Sequence, residues 1–234
     1  MPTFRLVALA LVVSSALAAA PADQASPTDP AEILALLKAG NERFVSNPGA
    51  APRVDVASRA ALVTGQHPMA IVVSCADSRV PPELVFNRGL GELFVIRVAG
   101  EVADQSVIAS VEYAAEHLGT PLVIVMGHQF CGAVTAALDT APGATAGSPS
   151  LDFLIGSIRP AFARTTSEVD AAHLRDLILA NVEQVVNDLA SKSTIVQHLH
   201  EAGKLALVGA YYELETGRVH FSTPFPAATA HEAR

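Results

Sequence analysis

The chain contains no tryptophan, only three tyrosines and nine phenylalanines, and only two cysteines in 234 residues. Aromatics this sparse, beside a 50% hydrophobic content, suit an Ala/Val/Leu-rich α/β protein. Charge is scarce as well. Charged residues make up 16%, and the acidic ones lead by 23 to 15, for a net charge of -8. No basic patch is visible, which argues against a nucleic-acid partner. Heptads, internal repeats and long low-complexity tracts are missing too. What remains is a chain long enough to bury a full core in one domain.

One apolar run stands apart at the start. Met1 to Arg5 is short with one positive charge, Leu6 to Val13 is wholly apolar, and Ser14 to Ala22 is rich in small residues. That is the order of a secretory signal peptide, and the run is too short to span a bilayer comfortably. Small residues allow cleavage after Ala18, Ala20 or Ala22, of which Ala20 is disfavoured because Pro21 would follow the cut. The expectation is a signal peptide over 1–22, a flexible leader over 23–29, one domain over 30–223 and a loose tail over 224–234. The mature protein is then exported, periplasmic in a bacterium-like cell, and free of any membrane segment.

Along the domain, Ile33, Leu37 and Phe44 recur at helical spacing, so the pattern predicts a helix over Pro30–Ser46 with Asp29 or Thr28 as its cap. A second helix is expected over Val54–Thr64, stopped by Gly65. Strands and helices then alternate. The strands are Ala70–Ser74, Leu93–Val98, Leu122–Met126 and Leu205–Tyr212, with a short edge strand over Arg218–Ser222. The helices between them are a short one from Pro81 through Phe86, then Asp104–Leu118, Cys131–Leu138, and a helical stretch from Leu151 to Ala202 broken at Pro160. This alternation implies right-handed crossovers and an α/β fold with a mostly parallel central sheet flanked by helices. In such sheets sites lie beyond the carboxyl ends of the strands.

Both cysteines fall there. IVVSCADSR (Ile71 to Arg79) ends a strand-like run in Cys75, followed by Asp77 and Arg79. VIVMGHQFCGA (Val123 to Ala133) ends one in His128 and Cys131. The cysteines can be read as zinc thiolates, as a disulfide, or as buried apolar residues. Asp77 and His128 beside them are metal-ligand types, and thiolate with imidazole favours zinc. Alone, His128 would read as structural, Asp77 as a loop cap and Arg79 as a surface charge. Together, Asp77 and Arg79 read as a carboxylate kept ionised and oriented by a guanidinium. Beside a two-thiolate zinc, which acidifies water weakly, such a carboxylate has a catalytic use.

CADSR, followed by VPPELVF, GELFVIRVAG, SVEYAAEHLG and GHQFCGA, closely resembles the β-class carbonic anhydrases, over about Ala31 to Ser222. The resemblance implies a zinc enzyme converting carbon dioxide and water to bicarbonate and a proton through hydroxide generated at the metal. It also implies a homodimer, often paired into tetramers, with the Pro30–Ser46 helix packed on the partner chain. Cys75, His128 and Cys131 would be permanent ligands, and Asp77 would either join them or pair with Arg79. Gln66 would bind substrate across the subunit interface, and Phe94 and Tyr113 would line the neighbouring pocket. Carbonyl sulfide or carbon disulfide hydrolysis, or a non-catalytic zinc-stabilised protein, are the competing readings. Two departures stand out. Many members read RNAGN where this chain has Arg97-Val98-Ala99-Gly100-Glu101. Val72 occupies the place of the tryptophan in the bicarbonate-regulated branch.

Overall fold

The computed structural model describes residues 27–49, 52, 54–165 and 169–225. The expected signal peptide, most of the leader and all but the first two tail residues lie outside them. No helix among the described residues is long and apolar enough to cross a membrane.

The first helix, α1 (Pro30–Ser46), starts where Asp29 accepts from the Ala31 N–H and Pro30 takes the first turn. After it comes α2 (Val56–Ala61), shorter than the sequence suggests because Asp55 caps it and the chain leaves the helix at Leu62. The chain continues through β1 (Ala70–Ser74), α3 (Pro82–Val85), β2 (Leu93–Arg97), α4 (Gln105–His117), β3 (Leu122–His128), α5 (Gly132–Asp139) and α6 (Pro149–Ile158). It ends in α7 (Leu174–Lys192), α8 (Thr194–Glu201), β4 (Ala206–Tyr212) and β5 (Val219–Phe221). β3 outlasts the expected Met126 because Gly127 and His128 still pair with Tyr211 and Tyr212 of β4.

The five strands lie in the order β2-β1-β3-β4-β5, the first four parallel and β5 antiparallel. β1 and β3 are buried along their whole length, as strands covered on both faces must be. Alternate residues feed opposite layers. Val72, Ile124 and Met126 pack with Ile33, Leu37, Phe86 and Ile158. Ile71, Val73, Val123 and Val125 pack with Val107 and Val111 of α4 and Val182 and Val185 of α7.

The apolar stripe of α1 is used within the chain: Ile33 and Leu37 are fully buried in it, worth about 2 kcal/mol each. Asn41 on the same face donates to the carbonyls of Val85 and Gly217 at 3.1 and 2.8 Å, and accepts from the Val219 N–H at 2.9 Å. At Gly40 an added Cβ would lie 1.9 Å from the Phe86 carbonyl oxygen, so the helix sits directly on backbone there.

From β1 the chain moves to β2 on one side and to β3 on the other, so the strand order reverses between β1 and β3. Ser74 pairs with Met126 across that boundary. One residue beyond Ser74 and two beyond Met126, Cys75 and His128 therefore reach the same end of the sheet, at the crevice where doubly wound sheets bind ligands. Past β5, the Ser222 and Phe225 N–H groups donate to Gly209 and Leu207, so pairing with β4 continues through Phe225.

Candidate metal centre

Cys75, His128 and Cys131 converge at this crevice, all buried, with one donor atom from each lying within 4.8 Å of the others. Both cysteines are free, so the disulfide reading is not realised. Cys131 is the N-cap residue of α5 and makes no side-chain cap bond, which leaves its sulfur to the cluster. The His128 ring is set by its own neighbour. Nδ1 lies 2.9 Å from the Gln129 carbonyl, which only accepts. Nδ1 therefore carries a proton, and Nε2 is the nitrogen that faces the sulfurs.

The three groups shape one another's ionisation. Hydrogen bonding with Cys131 lowers the Cys75 thiol against the opposing effect of burial, helped by His128 and by the N–H groups of Asp77 and Gly100. Cys131 moves upward, because it shares its proton with Cys75 and is itself buried. Burial opposes charge on His128, but the neighbouring Cys75 sulfur outweighs it and the net direction is up.

This set fits a metal ion. His128 Nε2 is buried without a hydrogen-bond partner among the described residues, an arrangement that costs energy unless something satisfies the nitrogen. Two thiolates and an imidazole whose other nitrogen is held by a carbonyl are the donors of a transition-metal site with its supporting shell in place. Binding there releases the thiol protons.

Asp77 stands at the edge of the set, its Oδ2 3.9 Å from His128 Nε2. Both its oxygens belong to Arg79. Nε donates to Oδ1 at 2.9 Å and Nη2 to Oδ2 at 2.7 Å, while the Arg79 N–H adds a third bond to Oδ1 at 2.9 Å. This fork holds the carboxyl well below the usual carboxylate range. Of the two arrangements open to Asp77, the chain adopts the one paired with arginine.

Two supports for this loop make contacts that no motif shows. Arg97, at the end of β2, donates to the Cys75 carbonyl at 3.0 Å and also to the Asp77 carbonyl. It thus ties down both ends of the Cys75–Asp77 segment. Phe130 takes a left-handed backbone with φ of 56°, unusual for a bulky residue. Its carbonyl accepts from Arg79 at 3.3 Å.

A family profile described as carbonic anhydrase matches residues 70–219. Carbonic anhydrase 2 of Mycobacterium tuberculosis is 38% identical over 195 residues, covering 82% of this chain and 92% of that protein. Among solved structures, the Coccomyxa β-carbonic anhydrase in complex with acetazolamide aligns with a TM-score of 0.64 at 28% identity, over 85% of this chain and 89% of that one. The chain belongs to the β-class carbonic anhydrases. The same fold, at a TM-score of 0.62 and 19% identity over 84% of this chain and 98% of that one, recurs in tetrameric β-carbonic anhydrases from Sordaria macrospora.

Not every position that the resemblance to β-carbonic anhydrases implicates joins the cluster. Gln66 and Tyr113 are exposed and line an open groove with Leu62, Val63 and Leu90. Phe94 is half-buried, its ring centroid 6.3 Å from that of Tyr113. It sits one step from the start of β2, opposite Ile71. These three lie towards the amino ends of the strands, away from Cys75 and His128 at the carboxyl ends. Val72, in place of the regulated branch's tryptophan, is buried mid-strand. The Glu101 that ends Arg97-Val98-Ala99-Gly100-Glu101 is fully buried, its Oε1 accepting from Asn181 Nδ2 at 3.0 Å. Burial raises its carboxyl to about 8. Nothing in the sequence around Asn181 marks it, since it lies 80 residues away on α7.

Proposed function

We propose that the chain interconverts carbon dioxide and water with bicarbonate and a proton, using a zinc ion held by Cys75, His128 and Cys131. Soft thiolates with imidazole favour zinc over harder cations. When bound, zinc supplies the Lewis acidity that makes a water proton removable near neutral pH.

The observation that carries this reading is the Asp77–Arg79 pair. It places a carboxylate 3.9 Å from a donor atom of the set, yet with both oxygens held by a guanidinium. A centre that only stapled the fold would have no use for a carboxylate so aimed. In the reaction, Asp77 accepts a hydrogen bond from the attacking water and orients its oxygen towards the carbon of carbon dioxide. The new carbon–oxygen bond gives bicarbonate, and the water's proton passes to solvent. Asp77, kept ionised by Arg79, is too weak a base to retain that proton. Arg79 also keeps the carboxylate from turning towards the metal ligands.

The functional unit in this reading is a homodimer or a tetramer. Gln66 donates to substrate in the neighbouring subunit's pocket, and Phe94 and Tyr113 line that pocket. The exposure of Gln66 and Tyr113 in a shared apolar-edged groove supports this part. The first 18 to 22 residues are removed on export to the periplasm. Mass spectrometry of protein from the native host tests that point, and an intact Met1 region would refute it.

Stopped-flow hydration of carbon dioxide by zinc-loaded protein tests the main reading, with carbonyl sulfide and carbon disulfide assayed alongside. Fast hydration is expected. Turnover of the sulfur gases without hydration would replace the reading with a hydrolase. Zinc binding with turnover of none of the three would leave a purely structural metal.

A further inference from the structure

A buried polar chain runs behind Cys75, and the reaction above makes no use of it. The Gly100 N–H donates to Cys75 Sγ at 3.3 Å. The carbonyl of the same residue accepts from Asn181 Nδ2 at 2.9 Å, and that nitrogen also donates to Glu101 Oε1 at 3.0 Å. Glu101 and Asn181 are both 0% exposed. One amide group on α7 therefore holds two consecutive residues of the turn that touches the cysteine.

This turn is costly. Gly100 and Glu101 have φ of 63° and 45°, and left-handed backbone is rare for glutamate. Glu101 Oε2 and Asn181 Oδ1 are buried without partners among the described residues, a further expense. Apolar side chains would fill the same space without it. Room for the carboxyl depends on Gly127, where an added Cβ would lie 2.7 Å from Val182 Cγ2 and 3.2 Å from Glu101 Oε1. The turn itself requires Gly100, where a Cβ would lie 2.8 Å from Ile158 Cδ1. Three separate elements have thus given up packing or conformational ease to keep one N–H on one sulfur.

We propose that Asn181 and Glu101 are positioning residues for the metal centre, clamping the Ala99–Glu101 turn so that the Gly100 N–H stays on the Cys75 sulfur. A hydrogen bond to a thiolate favours its charged form and withdraws electron density from it. A sulfur so engaged donates less charge to a metal, which then keeps more of its own positive charge. Two thiolates are the weak point of this donor set for acidifying water, and the clamp offsets part of that weakness. The inference rests on the metal reading of Cys75, His128 and Cys131.

The test begins with wild-type protein loaded with cadmium-113. The expected result is a scalar coupling, seen by NMR, between the Gly100 amide proton and cadmium across Cys75 Sγ. Asn181→Ala should lose this coupling and bind zinc at least about tenfold more weakly by chelator competition, the usual cost of removing an outer-shell partner. Glu101→Gln, which keeps an oxygen to accept from Asn181 Nδ2, should retain the coupling and stay within about twofold in zinc affinity. A merely structural role for Asn181 would lower the unfolding temperature but leave coupling and affinity unchanged in folded protein. Should Asn181→Ala fail to fold, near-isosteric Asn181→Leu is judged by the same criterion. Cadmium-bound wild type without the coupling would overturn the proposal whatever the variants do. So would a folded Asn181 variant that keeps both properties, or Glu101→Gln losing both. A chain that takes up neither zinc nor cadmium would overturn the metal reading itself, and the clamp with it.

Discussion

The two ends of the sheet differ in how finished they are. At the carboxyl ends, Cys75, His128 and Cys131 are buried, mutually close and backed by Arg79 on the Cys75 loop and by Arg97 and Asn181 from two other segments. At the amino ends, Gln66 and Tyr113 stand exposed around an open groove and touch nothing of that centre. The donor set is complete within one chain because parallel strands and their order bring it together. In the reading proposed above, the residues at the other end gain their use from a second chain. One fold would then finish its metal centre at one end and leave the shaping of substrate access to assembly.

The largest effect should come from the finished end. His128→Ala removes one of three protein ligands, and zinc binding should weaken by on the order of a thousandfold. Metal analysis after dialysis against chelator reads this directly, and full zinc occupancy would break the comparison at its root. Next in size are Arg79→Ala and Asp77→Asn. Each should keep zinc while hydration activity falls by about a hundredfold, the scale of one lost acid–base partner. Near-full activity of zinc-loaded Arg79→Ala would end the role given to the pair.

The same pair sets an expectation for acid. Its folded carboxyl lies below the ordinary range. Its contribution is therefore present above the unfolded value of about 3.9 and is lost only as the pH falls through the lower folded value. From neutrality down to about pH 5, wild type and Asp77→Asn should lose stability in parallel in urea titrations. Divergence in that window would show that Arg79 does not hold the carboxyl as described.

The unfinished end should give smaller effects that depend on assembly. Gln66→Ala should lower activity about tenfold, the worth of one hydrogen bond to a charged ligand, with zinc content unchanged. Sedimentation that finds a fully active monomer at micromolar concentration would remove the partner's role altogether. Smallest of all, Tyr113→Ala should shift the stability of an isolated chain by no more than about 0.5 kcal/mol, since the side chain is 49% exposed. Any larger change should appear in the dimer dissociation constant, measured by sedimentation of variant and wild type.

Much of this molecule can be read locally. The strands of the parallel sheet announce themselves as short β-branched runs, and α1 by its spacing and its Asp29 cap. The ligand types are equally plain, because Cys75, His128 and Cys131 each follow such a run by a few residues. Only the tertiary structure decided what those patterns meet. The spacing of α1 shows an apolar stripe, but not that Asn41 beside it bonds to Val85 and Gly217, 44 and 176 residues away. Arg97 shows in the sequence as the head of the RNAGN-like stretch, but its bonds to the Cys75 and Asp77 carbonyls are visible only in the fold. Glu101 shows in the sequence only as a departure from RNAGN, and Asn181 carries no signature, because a hydrogen bond across 80 residues depends on where two elements cross. Periodicity reports which face of an element is apolar. It does not report which neighbour that face will find, and the supports of this metal centre are all choices of neighbour.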